Sequence, residues 1–351
     1  MAIERFTVSK DDSIYEAWPD LVLTDGGKLI CVFTECTRHS DRQNSRLALV
    51  ESIDRGRTWS RKKYLTERCD SSYYFNCARI TKLRDGTLAI LCDKLTKSGE
   101  ARGECRTSEI HLWVSDREGI EWHHKTVFPF CGIVPDKLRE LSTGRLIISA
   151  HFDGETTGKL EQYLWYSDDR GTTWSDRITV AASDKYNLCE ACLYESDGGT
   201  LIALMRENSL VGEDILMSIS HDFGESWSEL IRTPIPAGHR PTAGRLMDGR
   251  IMISYRFIPA LGLHNAFIAV IDEDQLLSGK RSVYIRVMPL DYDRNPDPDT
   301  GYTGWAQFSD GEIYVVNYIK DDAKKAHIRG YSLRPEDIEL PIELFGDDNF
   351  F

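Results

Sequence analysis

The chain has 351 residues, 41% hydrophobic and 28% charged, a soluble globular profile that excludes wholesale disorder. Its 43 Lys+Arg against 56 Asp+Glu leave a formal net charge of −13. A surface that acidic repels phosphate backbones and anionic headgroups, which argues against nucleic acid and membrane partners. The longest apolar stretches, such as Leu201–Met205, fall far short of the about 20 residues a spanning helix needs. The N-terminus shows no basic start followed by an apolar run, so no secretory signal is read there. Nine cysteines, an odd number, several inside apolar strand-like runs, read as buried free thiols and predict a cytoplasmic protein.

In chain order, an apolar run entered by a turn glycine recurs six times: at Asp25-Gly26-Gly27, Asp85-Gly86, Thr143-Gly144, Gly198-Gly199, Asp248-Gly249 and Asp310-Gly311. From the glycines at 26, 86, 144, 199, 249 and 311 the intervals are 60, 58, 55, 50 and 62 residues. Glycine accepts the positive φ of a tight turn, so each site reads as a β-hairpin. The strands that follow, such as Leu29–Phe33 and Leu201–Met205, are apolar almost throughout, as strands buried on both faces are. Six small sheets stacked around an axis bury them so, and ring closure removes the exposed edges. The prediction is an all-β fold: one domain over 1–351, a six-bladed β-propeller of four-stranded antiparallel blades. Its blades run approximately over 15–65, 73–128, 131–180, 187–233, 238–287 and 300–335, followed by a C-terminal tail.

A second repeat, Ser-x-Asp-x-Gly-x-Ser/Thr-Trp, appears at Ser52–Trp59, Ser167–Trp174 and Ser220–Trp227. A decayed copy runs from Ser115 to Trp122, with Arg117 in place of the aspartate. The pattern describes a turn that satisfies its own backbone donors through the Asp, with the Trp plugging the gap between sheets. These acids are structural on this reading, not catalytic. The motif is the Asp-box (BNR) repeat, and the whole chain resembles the sialidase (neuraminidase) superfamily.

Within each blade the start of the first strand and the end of the second lie on one face, opposite the Asp-Gly turn. Six blades converge these positions on a central mouth. Starts supply Trp18, Asp20, Asn76, Arg79, Asp136, Glu190, Arg240 and Tyr302; ends supply Glu35, Arg38, Asp93, Lys94, His151, Asp153, Arg206, Glu207, Arg256 and Tyr318. An axial mouth is a default ligand pocket in a propeller. Asn187–Asn208 resembles the sialidase blade-four segment, and Thr300–Gly304 with Asp310-Gly311 resembles the segment that carries that family's tyrosine nucleophile. The resemblance implies Tyr302 as nucleophile, Glu190 as its base and Arg206 as a carboxylate-binding arginine. A phenol with a pKa of about 10 needs such a base at neutral pH, and a neutral nucleophile avoids repelling an anionic sugar.

The chain departs from the sialidase pattern in blade one. Tyr15-Glu16-Ala17-Trp18-Pro19-Asp20 keeps the proline of the family's Arg-Ile-Pro segment and has Ala17 where the arginine belongs. Arg240 or Arg256 from blade five could replace it, and Trp18 could offer a stacking face to a sugar ring. For the general acid the loop Thr37–Arg42 offers Asp41, with Asp20, Asp93 and Asp136 as rivals. Arg38, Arg79 and His151 complete the candidate substrate-binding set. Cys189-x-x-Cys192 and the histidines lack the spacing of a metal centre, so neither metal nor cofactor is expected. The leading expectation is a retaining exo-glycosidase acting on a terminal, acidic sugar of a small oligosaccharide or glycoside. The alternatives are elimination or direct water attack on another sugar through His151 or Asp136, and a non-catalytic carbohydrate-binding propeller.

Overall fold

The computed structural model describes residues 3–69, 72–96, 108–154, 157–260, 262–280 and 283–338; Cys105 and the tail 345–351 lie outside them. Six antiparallel sheets follow one another along the chain. Their innermost strands are Tyr15–Leu23, Arg79–Lys82, Arg139–Glu140, Leu188–Glu195, Gly238–Arg245 and Thr300–Gln307. In blade two the inner strand is broken: Tyr73–Phe75 and Arg79–Lys82 both pair with Leu88–Thr96. Blade six takes its outer strand from the other end of the chain, since Glu4–Ser9 pairs antiparallel with His327–Leu333. That strand lies before the predicted start of blade one, and it fastens the ring with backbone hydrogen bonds.

The second strands are buried on both faces because strand alternation sends their two faces into different interfaces. Leu29, Cys31 and Phe33 pack towards blade six with Tyr314 and Val316, while Ile30 and Val32 pack towards blade two with Ile80 and Ile90. The same division recurs around the ring, giving six apolar clusters among the described residues, one at each blade–blade boundary. The inner hairpin turns carry glycines at positive φ: Gly86, Gly144, Gly199, Gly249 and Gly311. In the first turn the left-handed residue is Gly27 (82°) rather than Gly26.

The Asp-box turns close as their composition dictates. Asp169 accepts the Thr173 N–H at 2.8 Å and the Ser167 hydroxyl at 2.8 Å, and the Ser167 oxygen accepts the Gly171 N–H at 2.8 Å. Trp59 donates to the Gly56 carbonyl (3.1 Å) and packs on Tyr314 of blade six. In the decayed copy the acid has moved one position upstream: Asp116 accepts the N–H groups of Glu118 (2.9 Å) and Ile120 (3.1 Å). Seven of the eight described cysteines are buried and all eight are free thiols; Cys131 is exposed.

Candidate functional site

The site begins with a defect repeated in the inner strands. Pairing with the second strand shifts register between Ala17 and Asp20, Cys189 and Cys192, His239 and Thr242, and Thr300 and Thr303. Each bulge holds one non-glycine residue in the left-handed region: Trp18 (φ 55°), Glu190 (50°), Arg240 (49°) and Tyr302 (70°). Val134 (49°) does the same in blade three, two residues before Asp136. None is glycine, and each such residue costs about 1–3 kcal/mol. A bulge re-aims its side chain, so four blades each turn one large side chain towards the axis.

There the side chains meet. The Tyr302 hydroxyl donates to Glu190 Oε1, and Arg206 Nη1 lies 3.0 Å from both Glu190 carboxylate oxygens. The guanidinium carbons of Arg256 and Arg240 lie 5.3 and 5.7 Å from the centre of the Tyr302 ring. All five residues are buried. Gly301 (φ 102°) makes the approach of Arg256 possible, because a Cβ on it would come within 2.2 Å of the Arg256 Cβ. Above them opens a cavity of about 630 Å³, lined among others by Glu190, Tyr302, Arg206, Arg256, His151 and Asp41.

The electrostatics separate acid from base. Burial by itself would raise the Glu190 carboxyl, but Arg206, Arg256 and Arg240 overcome it and hold the group far below the usual carboxylate range. Burial, reinforced by the Glu190 charge, pushes the Tyr302 phenol well above its ordinary value. The resting pair is therefore a neutral phenol hydrogen-bonded to an ionised carboxylate. Burial lowers His151 to about 4, so its imidazole is neutral, and its Nδ1 faces the Glu190 N–H at 3.3 Å. Buried donors on Arg206 (Nε) and Arg256 (Nε), which line the cavity, and on Arg240 (Nε, Nη1) behind Tyr302 have no hydrogen-bond partner, a spare positive charge suited to an anionic group.

Of the predicted residues, Tyr302, Glu190, Arg206, Arg256, His151 and Asp41, and the rim positions Asn76 and Asp153, line this cavity. Arg240 is fully buried behind Tyr302, with Nη2 3.3 Å from the Pro135 carbonyl. Trp18 is likewise buried, forming part of a wall with Tyr15, Tyr318 and His39; its open face is taken by Arg42, 4.0 Å from the ring centre. It offers no free stacking surface. Asp20, Arg79 and Asp136 belong to a buried layer beneath the mouth. Asp20 and Asp136 each stand two residues past a left-handed residue, Trp18 and Val134, and Arg79 opens the second segment of the broken inner strand of blade two. Arg79 is held by the Thr242 hydroxyl (3.1 Å), the Thr303 carbonyl (3.3 Å) and Asp20 (3.5 Å). Lys137 reaches Asp20 at 3.1 Å, and Arg139 reaches Asp136 at 3.0 Å. Asp93 also serves the interior, accepting Asn76 Nδ2 (2.9 Å) and the Val134 N–H (2.8 Å). Arg38 is exposed and faces a neighbouring groove instead.

Sequence reasoning missed Arg42, His39, Tyr74 and Asn208, which also line the cavity. None of the four falls at a strand start or strand end on the rim or within a repeated motif, so residue type and spacing gave them no signal. Among the described residues no cluster of three or more His, Cys, Asp or Glu side chains suits a metal ion, and no helix is long and apolar enough to cross a membrane.

The BNR repeat-like domain family matches residues 95–259. No curated protein matches the chain. Among solved structures, a protein of unknown function from Dyadobacter fermentans is similar at TM-score 0.76 and 20% identity, over 94% of this chain and 98% of that one. The intramolecular trans-sialidase of Ruminococcus gnavus, solved with oseltamivir carboxylate, is similar at TM-score 0.69 and 14% identity, over 93% and 96% of the two chains. An α-L-arabinofuranosidase mutant from Fusarium graminearum, solved with an iminosugar inhibitor, is similar at TM-score 0.64 and 12% identity, over 95% and 98%. The chain is a six-bladed β-propeller with the fold of these solved structures, and residues 95–259 within it match the BNR repeat-like domain.

Proposed function

We propose that the protein is a retaining exo-glycosidase for a terminal sugar bearing a carboxylate. The observation that carries this reading is the Tyr302–Glu190–Arg206 contact at the floor of an axial cavity. Tyr302 attacks the anomeric carbon as Glu190 takes its proton and the aglycone oxygen leaves as an alcohol, and the resulting tyrosyl glycoside is later hydrolysed by water. In the resting site the arginines hold Glu190 too firmly ionised to be a strong base. A substrate carboxylate on Arg206 and Arg256 would share their field and raise the basicity of Glu190, so binding and activation are coupled. This ties turnover to an acidic sugar.

The test is a panel of fluorogenic aryl glycosides: a sialoside, hexuronides and a neutral arabinofuranoside. Turnover of an acidic member, abolished in Tyr302→Phe with sugar binding retained, is the expected result. Turnover of the neutral member alone refutes the carboxylate preference. Sugar binding with no turnover of any member, unchanged in Tyr302→Phe, makes the protein a binding module.

A further inference from the structure

The hydrolase reading needs a donor for the leaving oxygen, and the loop after the second strand of blade one brings two titratable side chains to the cavity, Asp41 and His39. Asp41 is occupied in its own turn: Oδ1 accepts the Gln43 N–H at 3.2 Å, and its backbone pairs with Arg38. His39 is built differently. Its Nδ1 lies 2.8 Å from Asp299 Oδ2, and Asp299 is itself fixed by the hydroxyls of Tyr318 (2.9 Å) and Tyr15. Burial opposes ionisation of Asp299, but the hydrogen bonds and charge of its neighbours win and hold it at about 2. An ionised, immobilised carboxylate on Nδ1 fixes the tautomer and orientation of an imidazole and leaves Nε2 for chemistry. His39 Nε2 has no partner among the described residues.

Position supports the same role. His39 stands where two cavities meet, since it lines both the one over Tyr302 and a second of about 530 Å³ bounded by Arg38, His264, Asp299 and Lys325. Its ring abuts Trp18 (5.3 Å), which adjoins Tyr318 (6.1 Å), which adjoins Tyr302 (6.3 Å). His39 and Tyr302 therefore line one cavity, and His39 also borders the second groove.

We propose that His39, positioned by Asp299, is the catalytic acid–base of this site and that the leaving half of the substrate occupies the groove behind it. The proposal rests on the hydrolase reading. In the first step the Tyr302 oxygen bonds to the anomeric carbon and its proton passes to Glu190. The bond to the leaving oxygen breaks, and that oxygen takes the Nε2 proton of His39. In the second step neutral Nε2 takes a proton from water, whose oxygen displaces Tyr302; Glu190 returns the proton to the phenol. Glycoside and water become sugar and alcohol, and every group regains its starting state. The charged or titratable groups facing His39 are Tyr15, Asp299 and His264, the Arg38, Asp41 and Arg42 of its own loop, and Asp297, Lys320, Lys324 and Lys325 along the groove.

The experiment compares His39→Gln, Asp299→Asn and Asp41→Asn on aryl sialosides and hexuronides whose phenols range from strongly to weakly acidic, together with the methyl glycosides. An acid is needed most where the leaving group is poorest. His39→Gln is expected to lower kcat/KM by about 100-fold or more on methyl glycosides, to leave the most activated phenol within a few-fold of wild type, and to lose the alkaline limb of the pH profile. Asp299→Asn should shift that limb and weaken the same substrates to a smaller degree. A loss in His39→Gln that is uniform across leaving groups, or the leaving-group pattern appearing in Asp41→Asn instead, overturns the assignment while the hydrolase reading stands. Wild type that turns over no glycoside overturns the hydrolase reading and this one with it.

Discussion

Replacing Glu190 by Gln separates the roles of the central carboxylate. The side chain is buried, bonded to Tyr302, and 3.0 Å from Arg206 through both oxygens, while Arg256 and Arg240 add further positive charge. The isosteric amide keeps the volume and removes the counter-charge. Leaving a buried guanidinium without its partner costs about 3–5 kcal/mol, set against a total stability of about 5–15 kcal/mol, so the variant folds but unfolds at lower urea. Losing the base lowers kcat by about 10²–10⁴. The third consequence has the opposite sign: the arginines, freed of their internal anion, bind an acidic sugar more tightly. Urea melts, steady-state kinetics and titration calorimetry with a free acidic sugar read the three separately. Turnover within tenfold of wild type, or weaker sugar binding, refutes the assignment of Glu190 as base held among substrate arginines.

Gly301→Ala places a methyl within 2.2 Å of the Arg256 Cβ at a φ of 102°; it should raise KM for an acidic substrate well above tenfold by displacing Arg256, and an unchanged KM would show that Arg256 does not touch the sugar. Acidification should destabilise the fold between pH 6.5 and 4: burial lowers His151 and His327 to about 4, so the unfolded imidazoles bind protons first, at about 1.36 kcal/mol per pKa unit or up to about 3 kcal/mol each. Burial raises Glu16 to about 7, and that group opposes the trend by a similar amount over pH 7 to 4.5, leaving a net loss; urea stability that is equal or higher at pH 4.5 than at pH 7 would refute the sum. Asp169→Ala removes the acceptor of an Asp-box turn, with an expected lower urea midpoint and no change in kcat, and a fall in kcat at full stability would show that this acid belongs to the site.

The fold was legible because its signals are local and repeated. A glycine at each inner turn, an apolar run after it and a Trp closing the Asp-box each report one blade, and six reports at near-equal spacing define the ring. What escaped carried no such signal. Glu4–Ser9 is exposed along much of its length, so its composition does not show that it pairs with a strand more than 300 positions away. In the fourth Asp-box copy Asp116 caps the turn from one residue upstream, a displacement a fixed spacing cannot detect.

The site was legible only in part, and the reason lies in the bulges. Strand alternation predicts which residues share a face, yet the extra residue of each bulge reverses that parity midway through the strand. Trp18 and Asp20, or Val134 and Asp136, therefore look interchangeable in the sequence, although the first of each pair holds the left-handed conformation and the second sits in the buried layer below. A signal did exist in three blades: Trp18-Pro19, Val134-Pro135 and Arg240-Pro241 each set a proline after the strained residue. Proline donates no N–H to the ladder and marks bulges or edges within sheets. Glu190 and Tyr302 lack that marker, being followed by Ala191 and Thr303. Both hold the left-handed conformation with no proline after them, and holding two such residues at about 1–3 kcal/mol each accompanies one contact: the phenol of blade six on the carboxylate of blade four.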